Sequence, residues 1–296
     1  MQSNKKILST RRTYNKLVAN EMMEDFALRF TARRARIWSL GRIANTALGI
    51  VSFLVLEAIG GAITLNFGFV NSAWAILAVI FVVFLTGLPI SYYAAKYGVD
   101  IDLLSRGAGF GYIGSTIASL IYASFTFIFF ALEAAIMSMA LQILFGMPLS
   151  VAYVISALVV LPLVTHGIAY ISRFQVWSQP FWIVLQLTPL YFVFTHPDSN
   201  LQQWLGFTGL AGEQGEGFNL LLFGAASAVL LSLVAQIGEQ VDFLRFLPEK
   251  PKKGQWRWWT ALILGGPGWI LFGALKLFLG SFLAYFALSQ VVSMYF

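Results

Sequence analysis

The 296-residue chain has no cysteine, two histidines and few charges; Asp, Glu, Lys and Arg make up 11% of it. Without cysteine, disulfides, thiolate chemistry and Cys-ligated metals are excluded. His166 and His196 lie far apart and fit no metal-ligand spacing. Soluble domains carry about 25% charged residues, so so sparse a charge beside a 58% apolar composition identifies an integral membrane protein. The first 36 residues are polar and basic, and they lack the apolar core of a cleavable signal peptide. The net charge of +6 could suggest nucleic acid, but the bases flank apolar runs. They orient helices in a bilayer, and no nucleic-acid partner is expected.

About 20 apolar residues cross the hydrocarbon core, which gives about seven spans, near 43–65, 71–95, 113–144, 148–170, 176–195, 218–241 and 259–286. The expected fold is an all-α polytopic membrane protein with a basic segment over 1–42 and a transmembrane domain over 43–296. Lys5, Lys6, Arg11, Arg12, Lys16, Arg29, Arg33, Arg34, Arg36 and Arg42 precede or open the first span. Lys96, Arg106, Arg173, Arg245, Lys250, Lys252, Lys253 and Arg257 follow the second, fourth and sixth, whereas the loops between have no Lys or Arg. The positive-inside rule then places the N-terminus in the cytoplasm of a cell whose plasma membrane holds the protein. Residues 24–40 mix Arg with Phe, Leu and Trp and read as an anchor on the inner membrane surface. Trp38, Trp256, Trp258 and Trp259 read as an aromatic belt.

Glu57, Glu133, Glu239 and Lys276 stand apart because they fall inside apolar spans. An ionisable group there costs from about 2.5 to more than about 10 kcal/mol, so it marks a partner or a function. Glu57 adjoins Gly60 and Gly61, the pattern of a discontinuous helix whose unwound backbone binds ions or solutes; the alternative is close helix packing at the glycines. Glu133 follows the aromatic run 125–130, so Phe129 can stack on a planar ring while Glu133 accepts its N–H groups. The alternative is a lipid-facing Phe ladder with Glu133 bonded to another helix. Gln236, expected to hydrogen-bond the substrate, and Glu239, a proton-coupling candidate, are placed to line an inner vestibule, and Asp242 and Arg245, at i and i+3, to form an inner gate. Lys276 either snorkels outward or pairs with Glu133 or Glu57. His166 reads as a hydrogen-bonded interior histidine. Residues 109–114 satisfy G-x-G-x-x-G, but they open a membrane helix and follow no strand, which excludes a dinucleotide loop. Small residues at a tight turn, allowing helices to approach, are expected instead. No nucleophile–base pair, metal cluster or cofactor loop is visible, so neither an enzyme nor a bound cofactor or metal is expected.

The order of these features resembles the nucleobase:cation symporter-1 family, the permeases for purines, cytosine, uracil, allantoin and thiamine. The resemblance rests on EDFALRF at 24–30, GLPISYYAAKYG at 87–98, LLSRGAGFGYIGS at 103–115 and VDFLRF at 241–246. It implies a LeuT-like fold of two inverted five-helix repeats, with spans one to five as the first repeat and six and seven opening the second. Helices completing the second repeat would then belong to a longer protein. It also implies a proton- or sodium-coupled symporter for a small nitrogenous solute, working by alternating access. The family's stacking Trp falls at Phe129, its substrate-binding amide at Glu133, an Asn at Glu239 and a Pro at Val241. Two amides replaced by carboxylates favour a protonatable or cationic ligand, or proton coupling through Glu57 or Glu133. Some bacterial histidine kinases carry a permease-like input region, so a solute sensor with C-terminal signalling domains is the alternative.

Overall fold

Apolar runs longer than a bilayer is thick dominate the computed structural model, which describes residues 30–165, 167–197 and 199–295, with side chains through 290. The basic segment and its 24–30 motif up to Arg29, together with His166 and Asp198, lie outside the described residues. Among those described there are helices and no strands. In chain order they are α1 (Leu40–Thr46), continued by a 3-10 turn at Ala47–Ser52, α2 (Val55–Phe67), α3 (Phe69–Tyr97) and α4 (Ile101–Ser105). A π turn at Arg106–Phe110 leads into α5 (Gly111–Phe145), followed by α6 (Leu149–Thr165), α7 (Ile168–Thr195) and the short α8 (Leu201–Leu205). Then come α9 (Leu220–Leu231), a 3-10 turn at Ser232–Ala235, α10 (Gln236–Leu244), α11 (Gln255–Gly265) and α12 (Trp269–Tyr295).

Among the described residues, four stretches are long and apolar enough to cross a membrane: Phe69–Tyr97, Ile101–Phe145, Leu220–Leu244 and Trp269–Gln290. The 29 residues of α3, at 1.5 Å each, reach about 43 Å. Two bent pairs, Leu40–Ser52 with Val55–Phe67 at 52° and Leu149–Thr165 with Ile168–Thr195 at 114°, raise the number to six if each is one span. The expected seven spans are therefore not met one for one, for three local reasons. The first is broken in its middle. The fourth and fifth divide near Gly167, because Ser172 and Arg173, expected in a loop, form an early turn of α7. There Ser172 Oγ and the Ala169 carbonyl accept hydrogen bonds from the Arg42 guanidinium at 2.8 and 2.9 Å. The seventh divides at 266–268 into α11 and α12.

The main core lies where α2, α3, α9, α10 and α12 meet, around Leu56, Ile63, Val83, Leu230, Ile237 and Leu277. Here α2 lies directly on α12. A Cβ on Gly60 would overlap the Leu277 carbonyl, one on Gly61 would stand 2.8 Å from Ala284 Cβ, and one on Gly280 would overlap the Glu57 backbone. Contacts advance together along both helices, from Leu56 on Gly273 to Thr64, whose hydroxyl donates to Ser281 at 2.8 Å. The two helices thus run parallel. In the same way α1 lies on α11, where a Cβ on Gly265 would stand 2.6 Å from the Ile43 carbonyl. Between α5 and α6 the buried hydroxyls of Ser138 and Ser156 meet at 3.0 Å, a small-residue contact suited to apolar surroundings. The outer faces of α5, α6 and α7 expose Phe127, Ile143, Val154 and Trp177, among others, as lipid-facing surfaces do.

A second core closes the end where α3 finishes and α11 begins, and it contains Trp38, Ile43, Phe246, Leu247, Trp258 and Leu262. Of the expected aromatic belt only Trp256 is fully exposed. Trp38 stacks on Phe246 at 4.7 Å, and Trp258 is buried, donating from Nε1 to the Pro248 carbonyl at 2.8 Å. These rings are packing elements because the loop 245–254 folds back over them. Arg36, expected as a surface base, is buried beneath this loop, donating to the Leu247 carbonyl at 3.0 Å and to the Ala95 and Lys96 carbonyls at the end of α3. Its burial lowers the guanidinium below its ordinary value, partly opposed by the charge of Glu249. The glycines before α5 also serve differently from expectation. Nothing approaches Gly109 or Gly111, and they are there for positive φ (110° and 64°), the first within the π turn and the second where it meets α5, a region costly for other residues. At the opposite end, the loop after α8 seals the α2–α3 junction, with Phe69 N–H donating to the Phe207 carbonyl at 2.7 Å.

Forcing a methyl into the α2–α12 contact should part the helices, at about 1–3 kcal/mol for an overpacked core. Gly60→Ala is expected to lower the thermal unfolding temperature of the detergent-solubilised protein by several degrees. Gly41→Ala, which meets nothing within 4 Å, should leave it unchanged or raise it slightly.

Candidate functional site at a broken helix

The hydrogen-bond ladder of the first span stops at Ser52 and restarts at Val55, with Phe53 extended between them (φ −80°, ψ 107°). Breaking a helix leaves bare N–H groups at the start of one half and bare C=O groups at the end of the other. In a hydrocarbon medium each bare group costs several kcal/mol. Other helices supply the partners. From α5, the Glu133 carboxylate accepts from Val55 N–H at 2.9 Å and from Leu54 N–H at 3.3 Å. It acts as an N-cap delivered from another helix, at the positive end of the α2 dipole. At the carbonyl end, Gln179 of α7 donates to Leu48 O at 2.9 Å and Ser52 Oγ to Gly49 O at 2.8 Å. Lys276 of α12 donates from Nζ to Val51 O at 2.8 Å.

Lys276 is buried and stands 2.6 Å from Glu57 Oε1, in the first turn of α2. Gln186 of α7 joins the pair, accepting from Lys276 through Oε1 at 3.2 Å and donating through Nε2 to Glu57 Oε1 at 2.5 Å. The choice left open for Lys276 falls to Glu57, which it reaches sideways across the α2–α12 contact without snorkelling. Negative groups thus face the N–H end of the break and an ammonium faces the C=O end, the arrangement its partial charges favour. Beside Lys276 a cavity of about 460 Å³ opens between α7 and α12. Val51, Gln186 and Lys276 border it, its surface is almost wholly apolar, and Phe194, Trp204, Phe272 and Phe282 form aromatic walls.

Several expected roles are corrected. Gly60 and Gly61 lie well inside α2, covered by α12, so they supply no unwound backbone; a glycine pair signals close approach as readily as unwinding, and here approach wins. Phe129 packs on Phe125, with centroids 4.3 Å apart, and against the main core, and it does not line the cavity. Gln236 donates to the half-buried Glu239 just after the 3-10 turn at Ser232–Ala235, so each occupies the other. Asp242 and Arg245 do lie within ion-pair range at 3.9 Å, but the buried Asp100 is closer to Arg245, at 3.7 Å. The basic end is therefore closed by a group of three charges. Sequence reasoning missed Gln179, Gln186 and Asp100. The amides are uncharged and so did not stand out in their span, and Asp100 lies in a charged loop outside the apolar runs, where it also caps α4 by accepting from Leu103 N–H at 2.8 Å.

Comparison with protein-family models, with curated proteins and with solved structures finds no match for the chain. What the fold and site define is a class: an all-helical, multi-pass membrane protein whose first membrane segment is broken and held open by charged side chains from other helices.

Loss of a capping acceptor costs about 0.5–2 kcal/mol, and leaving buried N–H groups unpaired adds about 1–3 kcal/mol. Glu133→Ala should therefore lower the unfolding temperature more than Glu133→Gln, whose amide oxygen still reaches Val55 N–H. Differential scanning fluorimetry of the two variants in one detergent would show it.

Proposed function

We propose that the chain forms the solute-handling part of a secondary transporter for a small nitrogenous ring compound, a nucleobase or a related heterocycle, moving it by alternating access. One observation carries this reading. A membrane helix is broken beside an aromatic-walled cavity, and both ends of the break are held by ionisable side chains from separate helices. Such breaks cost stability and persist where ions or solutes are handled. A cavity with aromatic walls suits a flat heterocycle, with Phe272 and Trp204 as faces. In this reading the solute lies between α7 and α12, and Phe129 acts indirectly, as packing beneath Glu133.

The symporter-like architecture is part of the proposal. The first expected span is interrupted at 53–54, while the sixth runs through its 3-10 turn at Ser232–Ala235 as one apolar stretch, Leu220–Leu244. The parallel course of α2 and α12 supports seven crossings, because parallel helices need an odd number of crossings between them. Counting α6 and α7 separately gives five. Lys96, Arg106, Arg245 and Arg257 gather at one end, which supports a cytoplasmic position for that end. Asp100, Asp242 and Arg245 would then close the inner side.

Uptake by proteoliposomes holding the full-length protein, with labelled purines, pyrimidines and hydantoins, tests the reading. At least one ring should accumulate, and Leu187→Trp, which fills the cavity from a half-exposed position, should cut uptake at least about tenfold while leaving the unfolding temperature nearly unchanged. Absence of uptake and of binding across the panel would sink the proposal.

A further inference from the structure

Lys276 sits in a place built for a cation. Three oxygens from different parts of the fold surround its Nζ: Val51 O at 2.8 Å, Glu57 Oε1 at 2.6 Å and Gln186 Oε1 at 3.2 Å. Three acceptors match the three N–H donors of an ammonium, with none left over. A fourth oxygen is close by, since Glu57 Oε2 is buried without a hydrogen-bond partner among the described residues. A carbonyl at the end of a broken helix, a carboxylate and an amide oxygen, converging in apolar surroundings, form a donor set that suits a hard monovalent ion. An ammonium is likewise a compact point charge. Val51, Gln186 and Lys276 also border the adjoining cavity.

We propose that Lys276 is a tethered cation standing where a dissociable one would otherwise bind, so that the protein needs no sodium at the broken helix. The site is a monovalent-cation site with its occupant covalently attached. For coupling, the consequence rests on the transport reading: of the two coupling ions expected from the sequence, sodium has no place here. The cation site itself is open to test without transport.

The test is thermal unfolding of the full-length protein in sodium, potassium, ammonium and choline chloride at equal ionic strength. Wild type should unfold at the same temperature in all four. Removing one partner of a buried ion pair is costly, so Lys276→Ala should unfold about 5–15 °C lower in choline. Sodium, potassium or ammonium, entering the space left by the side chain, should restore at least half of that loss. Glu57→Gln combined with Lys276→Ala removes the carboxylate as well and should show no preference among the salts. The proposal fails if Lys276→Ala unfolds at one temperature in every salt, if it folds in none of them, or if wild type is itself stabilised by sodium over choline. Salt rescue without solute uptake by wild type would remove the transport reading and leave the cation site. Uptake without salt rescue would remove the cation site alone.

Discussion

A helix cannot be interrupted inside an apolar medium unless something replaces the hydrogen bonds it gives up. That constraint organises this molecule. At 53–54 the chain abandons its own ladder, and α5, α7 and α12 each send a side chain to repair it: Glu133 to the N–H end, Gln179 and Lys276 to the C=O end. The repair in turn fixes those helices. α12 must lie against α2 for Lys276 to reach Val51 and Glu57, and three glycines allow that approach. α7 must run close enough for Gln186 to bridge the pair. A local defect in one helix therefore specifies the neighbours of three others.

The basic end is held by the same means at another place. Arg36 lies across the end of α3 and takes up the Ala95 and Lys96 carbonyls that the helix leaves bare, while its third contact, Leu247 O, ties down the loop after α10. Asp100, Asp242 and Arg245 join the starts and ends of α4 and α10 in one buried group. Breaking such a group by deleting one member leaves an uncompensated charge, which costs far more than the group gains by forming. These contacts make one closed arrangement definite.

Much of the helical architecture was legible because bilayer thickness acts on composition directly: α3, α5 and the α9–α10 run lie within a few residues of their expected spans. The intramembrane charges were legible as a set for the same reason, since cost singles them out. Their partners were not. Which acid Lys276 meets depends on how α2 and α12 face each other, and no local pattern encodes that. The position of the break was hidden for a related reason. Ser52, Phe53 and Leu54 include no glycine or proline, and the break survives on contacts from residues 79 and 225 positions away in sequence. Gly60 and Gly61, which did look like a break, are where the helix is most tightly covered. Trp258 and Arg36 looked interfacial by type and became core because a loop folded over them.

The pairing of α1 with α11 and of α2 with α12 has a mechanical consequence. Each pair is welded backbone to backbone through a glycine, Gly265 in the first and Gly60 and Gly280 in the second. Each interrupted helix contributes one half to each weld, and the interruptions, at 53–54 and 266–268, lie between the two welds. Neither helix can flex at its own interruption without carrying the other along. The two interruptions thus stand side by side as one paired joint, and the ammonium of Lys276, seated across one of them, is a pin set in it.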